Sequence, residues 1–122
     1  MKTSVRNAGK KGRGVFAKRT IRKNDLIEAC QVLIMPQKDW KKIEKTFLAY
    51  YVFEWGFKDV ALALGNGSLY NHSENPNCRW SPEGETLQYR AERTIHKGEE
   101  ICINYGYQPR GYAEDLDSGL KG

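Results

Sequence analysis

The sequence has little of what staples small extracellular proteins together. It holds three cysteines, Cys30, Cys78 and Cys102, an odd number without any C-x-x-C spacing. That argues against a disulfide framework and against a structural zinc site. The two histidines, His72 and His96, complete no metal-ligand spacing with them, so no bound metal is expected. No stretch approaches the roughly 18 apolar residues that a membrane-crossing helix needs. The N-terminal MKTSVRNAGKKGRG also lacks the apolar segment of a secretion signal. The expectation is an intracellular protein of cytoplasm, nucleus or nucleoid, not secreted and without membrane contact. The Asn-x-Ser triplets at Asn66 and Asn71 are accordingly expected to stay unglycosylated.

What is present suits one domain over residues 1–122 with a single modest core: 39% hydrophobic and 29% charged residues in 122. The net charge of +5 is uneven. Residues 1–60 carry 14 Lys and Arg against 6 Asp and Glu, whereas residues 61–122 carry 6 against 9. A basic first half suits an anionic partner such as DNA or a nucleosome, although a charge run also serves as a solvated face.

The chain repeats itself once. AKRTIRKNDLI at 17–27 and AERTIHKGEEI at 91–101 agree at six of eleven positions. Each reads as strand, tight turn, strand, with Asn24 and Gly98 where the turn needs positive φ. Two such corners suggest two small sheets. Between them, Pro36 to about Phe53 shows helical spacing through Trp40, Ile43, Phe47 and Tyr50/Tyr51. Residues 59–64 read as a short strand, and residues 78–95 as a hairpin turning at Ser81–Gly84. Residues 100–105 alternate, with Ile101, Ile103 and Tyr105 on one face and Cys102 and Asn104 on the other. The class is mainly β with one short helix.

Three segments carry candidate chemistry. Gly12-Arg13-Gly14, followed by Val-Phe-Ala, lets the backbone turn tightly and present amides to an anionic group. Asn71-His72-Ser73, in LYNHSENPN, offers an amide that reads an ammonium or a carbonyl. Gly98-Glu-Glu-Ile-Cys-Ile-Asn-Tyr-Gly-Tyr107 ends a strand on two phenols where the chain bends. Each segment alone reads as a turn or as packing.

Together, and in this order, they resemble the SET domain of protein lysine methyltransferases, over roughly residues 4–107. The resemblance implies a SET fold in which the Asn-His segment threads a loop near the C-terminus, a pseudoknot-like arrangement. It implies S-adenosyl-L-methionine as cofactor, held by Gly12, Arg13, Gly14, Asn71 and the backbone of His72, with the His72 side chain bracing the knot. Tyr105 matches the family's catalytic tyrosine. Tyr51 and Tyr107 are candidates to line the lysine channel, with Tyr50 one position away as the alternative to Tyr51. Ile103, two residues before Tyr105, stands where a small apolar side chain leaves room for more than one methyl. The tail departs from many relatives in having no cysteine for a zinc-binding segment. In residues 108–122 Tyr112 is the candidate to close the cofactor site, and Glu114, Asp115 and Asp117 could dock a basic substrate. The implied activity is that of a protein-lysine N-methyltransferase acting on a protein such as a histone, with homodimerisation as one way to complete the surface. The competing reading is a non-enzymatic basic β module that binds nucleic acid. A third is a SET-like fold without turnover.

Overall fold

The computed structural model describes residues 2–56 and 58–105. β1 (Thr3–Asn7) and β2 (Arg13–Ala17) form an antiparallel hairpin with Val5 opposite Val15, joined through a short 3-10 turn at Gly9–Lys11. β3 (Leu26–Met35), α1 (Gln37–Ile43), β4 (Val52–Trp55) and β5 (Asp59–Ala63) follow. Then come β6 (Asn71–His72), the β7 (Cys78–Glu83) and β8 (Thr86–Ala91) hairpin, and β9 (Glu100–Ile103). The strands make two sheets, ordered β1-β2-β9-β6 and β4-β5-β3-β8-β7. β3 is long enough to serve two partners, since its first half pairs with β8 and its second with β5.

The helix is shorter than its periodicity suggests. Thr46 stops it: both its N–H (2.9 Å) and its hydroxyl (2.7 Å) donate to the Ile43 carbonyl, and its backbone is extended. A 3-10 turn covers Phe47–Tyr51, and Val52 and Phe53, expected in the helix, instead open β4. A β-branched and an aromatic residue fit a pleated strand better. The β7–β8 turn also shifts, from the expected Ser81–Gly84 to Gly84–Glu85, with φ of 61° at Gly84 and Glu83 opposite Thr86. Pro82 continues the strand because β7 lies at the sheet edge, where a missing N–H breaks no interior ladder.

The two repeated corners meet. Ile21 and Ile95 exchange both backbone hydrogen bonds at 2.8 Å, and Asn24 and Gly98 take positive φ as their turns require. Both isoleucines sink into the main core with Val15, Tyr70, Trp80, Leu87, Tyr89, Ile101 and Ile103, none more than 2% exposed. A smaller cluster of Trp40, Ala49, Val52 and Val60 sits under α1. Tyr70 and Tyr89 stack at 4.4 Å. Their hydroxyls donate to Glu28 (2.6 Å) and to the Gly67 carbonyl (2.9 Å), satisfying the polar ends of two buried rings.

This core sets the alkaline limit of stability. Burial raises the phenols of Tyr70 and Tyr89 well above their usual range, pushes Cys30 up to about 12 and raises Cys78 and Cys102. In the unfolded chain these groups ionise at about 8.5 for Cys and about 10 for Tyr. Above those values the unfolded state binds fewer protons than the folded one, so stability falls as pH rises. The melting temperature is expected to decline steadily above about pH 9. The tyrosinate absorbance of Tyr70 and Tyr89, read as the part lost in their Phe variants, should appear only as the protein unfolds, and its rise at constant secondary structure would contradict this.

Candidate active site

β9 sits between β2 and β6, pairing antiparallel with the first and parallel with the second. This brings the three sequence segments together. Asn71 lies opposite Cys102 and His72 opposite Ile103, and the Ser73 N–H continues the ladder onto the Ile103 carbonyl at 2.8 Å. Asn77 holds the same strand with its side chain. Its Nδ2 donates to the Glu100 carbonyl and its Oδ1 accepts the Cys102 N–H, both at 2.9 Å. Asn77 is the single buried polar residue among the described residues, which fits a group that replaces a missing strand neighbour.

His72 is fastened at both ring nitrogens. Its Nδ1 accepts the Tyr105 N–H at 3.0 Å, so the proton sits on Nε2, which faces the Glu74 carboxylate at 3.0 Å. The side chain therefore ties down the chain at Tyr105. The Tyr105 ring lies 5.2 Å from the imidazole, and its hydroxyl donates to the Tyr70 carbonyl. Burial, then the neighbouring Cys102, Tyr51 and Glu100, raise the Tyr105 phenol above its usual range. It stays a neutral donor throughout the physiological range.

An open cleft of about 230 Å³ is lined by Lys11, Gly12, Arg13, Tyr50, Tyr51, Ser68, Leu69, Asn71 and Tyr105. Of the expected site residues, Gly12, Arg13, Asn71, Tyr51 and Tyr105 thus share one wall-to-wall space, and Tyr50 joins Tyr51 there. Gly14 lies just behind it. Ile103, assigned to the substrate channel, is wholly buried in the main core and is not among the cleft-lining residues. Tyr107, Tyr112, Glu114, Asp115 and Asp117 lie outside the described residues.

The sequence reading missed Glu100. Its Oε1 binds Lys11 Nζ at 2.6 Å and its Oε2 accepts Asn71 Nδ2 at 2.8 Å, while Asn71 Nδ2 also donates to the Arg13 carbonyl at 3.0 Å. Both amide hydrogens of Asn71 are thereby used, leaving Oδ1 as the acceptor for a ligand. The signal was the Gly-Glu-Glu run, but only the parallel β6–β9 register tells that the second glutamate reaches Asn71. A Cβ on Gly14 would come within 2.5 Å of Glu100 Oε2 and 2.9 Å of Asn71 Nδ2, so any larger residue there must push one of these side-chain ends aside.

The SET-domain family model matches residues 12–106 of the chain. The chain belongs to the SET-domain family. This SET domain is 35% identical, over 105 residues, to a Schizosaccharomyces pombe histone-lysine N-methyltransferase described as H3 lysine-37 specific, covering 84% of this chain and 71% of the relative. It is 34% identical over 108 residues to an Arabidopsis thaliana histone-lysine N-methyltransferase, covering 79% of this chain but 22% of that protein. Among solved structures it is similar to a Plasmodium falciparum candidate histone methyltransferase, with a TM-score of 0.74 and 30% identity over 88% of this chain and 95% of the other. The Cryptosporidium protein CpSET8 matches with a TM-score of 0.72 and 26% identity, covering 88% of this chain and 58% of its own. The mainly β architecture with one short helix is the SET fold, and the family's chemistry makes the chain a protein-lysine N-methyltransferase. Among the described residues no helix is long and apolar enough to cross a membrane, and no cluster of His, Cys, Asp and Glu could hold a metal.

Proposed function

We propose that this SET domain transfers methyl groups from S-adenosyl-L-methionine to the side-chain amine of a histone lysine. The observation that carries this is the joining of Asn71, Arg13 and Tyr105 in one cleft by β9. The donor set fits the cofactor's amino acid end. Asn71 Oδ1 suits an ammonium, and the backbone at Gly12 and Arg13 with the Arg13 guanidinium suits a carboxylate.

When bound, that cofactor supplies a methyl already activated on a sulfonium. The protein's own task is alignment of the amine, which orders the encounter and removes much of its entropic cost. A lysine amine titrates near 10.4 in water, and only its neutral form is nucleophilic. Insertion between Tyr50, Tyr51 and Tyr105 strips water from it and so favours the neutral form. Aromatic faces then hold the methylated cation that leaves. The Tyr105 hydroxyl, fixed by the Tyr70 carbonyl and kept protonated by burial, stands as the polar group at the reacting end of this channel. The names of the relatives support the histone substrate, and such a substrate calls for a protein that works beside chromatin.

The test is incubation of purified protein with methyl-labelled S-adenosylmethionine and a panel of histones, followed by mass spectrometry. Label on defined lysines is expected; cofactor binding without label on any histone would overturn the histone reading. Gly14→Ala supplies a separate check on the cofactor cradle. Its new methyl displaces Asn71 or Glu100, and affinity for S-adenosylhomocysteine by calorimetry should fall about tenfold, the worth of one charge-assisted hydrogen bond. Affinity for methylthioadenosine, which lacks the amino acid end, should change little.

A further inference from the structure

The repeated corners do more than close the sheets. Their backbone hydrogen bonds are related by a local two-fold axis through Ile21 and Ile95. Ala17 N–H donates to the Glu99 carbonyl (2.9 Å) just as Ala91 N–H donates to the Asp25 carbonyl (3.0 Å). Gly98 N–H donates to Ala17 (2.9 Å) just as Asn24 N–H donates to Ala91 (2.8 Å). Within each turn the acid does the same work. Asp25 accepts the Arg22 N–H at 3.3 Å, and Glu99 accepts the His96 N–H at 2.6 Å.

These bonds hold the two corners against each other through the Ile21–Ile95 bridge, with the turns Arg22–Asp25 and His96–Glu99 on either side of it. Residues 18–25 and 92–99 carry six Lys and Arg against three Asp and Glu. Arg93 pairs with Glu99 at 3.5 Å, and Glu92 is taken by Arg79 at 3.0 Å. Lys18, Arg19, Arg22, Lys23 and Lys97 are exposed and have no ion-pair partner among the described residues. Cations gathered on one surface repel one another, and a polyanion that meets them relieves that repulsion. None of the large exposed apolar side chains belongs to these two segments. A protein partner would want an apolar centre here, whereas a phosphate backbone wants cations on a polar surface.

We propose that this dyad-related surface, drawn from both halves of the chain rather than from the basic N-terminal half alone, binds the phosphate backbone of duplex DNA. It is built from Arg19, Lys23, Arg93 and Lys97, with Lys18 and Arg22 at its margins. These side chains meet phosphates and read no base sequence. The surface owes nothing to methyl transfer, and its test reads DNA alone.

The test is fluorescence anisotropy of a labelled mixed-sequence DNA duplex, titrated with the full chain at several salt concentrations. The triple variant Arg19→Ala, Lys23→Ala, Lys97→Ala should bind at least about tenfold more weakly at low salt. Its log–log salt slope should become shallower by about 0.9 for each phosphate that the variant no longer neutralises. The control Lys38→Ala, Lys41→Ala, Lys42→Ala removes as much charge from α1 and should leave both quantities near the parent's. The triple variant should melt no lower than the parent, because it removes only exposed cations that repel one another, and should methylate free histone at the parent's rate. Equal loss in the two variants would mean general basicity and overturn the proposal. Retained DNA binding in the first variant would overturn it too, and loss of binding to an acidic protein surface alone would reassign the patch to a protein.

Discussion

Tyr105→Phe is expected to lower turnover about a hundredfold while leaving S-adenosylhomocysteine affinity within about twofold. The size follows from what removal of one preorganised polar group costs a reaction in a water-excluded site. The change deletes one oxygen and keeps the ring that packs beside His72 and against the core. The backbone N–H of residue 105, which holds His72 Nδ1, is untouched, so the brace survives. Single-turnover rates measured with saturating cofactor and histone would separate chemistry from binding. Unchanged turnover would reduce Tyr105 to a packing residue. Parallel loss of cofactor affinity would make it part of the cradle instead.

The largest effect on stability should come from Asn77→Ala. The mutation strands the Glu100 carbonyl and the Cys102 N–H, both on β9, and each stranded buried group costs about 1–3 kcal/mol. The sum, roughly 2–6 kcal/mol, is a large part of the 5–15 kcal/mol by which domains of this kind are stable. Urea unfolding should show that loss, with a drop in melting temperature of about 10 °C or more. Asn75→Ala, two residues away on an exposed part of the same loop, should shift stability by no more than about 0.5 kcal/mol. Equal effects from the two would mean that the loop, not its grip on β9, carries the energy.

How legible the protein was depended on the kind of interaction. Local chemistry was readable: Asn24 and Gly98 announce their turns, the alternation at 100–105 announces β9, and the Asn-His segment with Tyr105 announces a site. Pairings decided by tertiary competition were not. Helical spacing runs on past Ile43 as far as Tyr51, but Thr46 ends the helix with its own hydroxyl, and pairing with β5 claims Val52 and Phe53 as a strand. Periodicity placed Tyr51 and Tyr50 one position apart with no means to choose, whereas the 3-10 turn brings both to the cleft. Alternation put Ile103 on the face of Tyr105, and the chain leaves strand geometry after Ile103, so one is enclosed and the other reaches the cleft. Glu100 was invisible for a simpler reason: its importance lies in Lys11 and Asn71, 89 and 29 residues away along the chain.

The central place of β9 also governs when the protein becomes an enzyme during its own synthesis. Its partners β2 and β6 are made long before it, and nothing else in the sheet joins them. A nascent chain that has emerged only through β8 holds Arg13 and Asn71 on separate pieces, with no wall between them and no Tyr105. Such pairings between distant segments close late, after the local hairpins have formed. On the proposed function, fragments that end before β9 should not capture cofactor, and the cleft is completed in one step when this strand slides home.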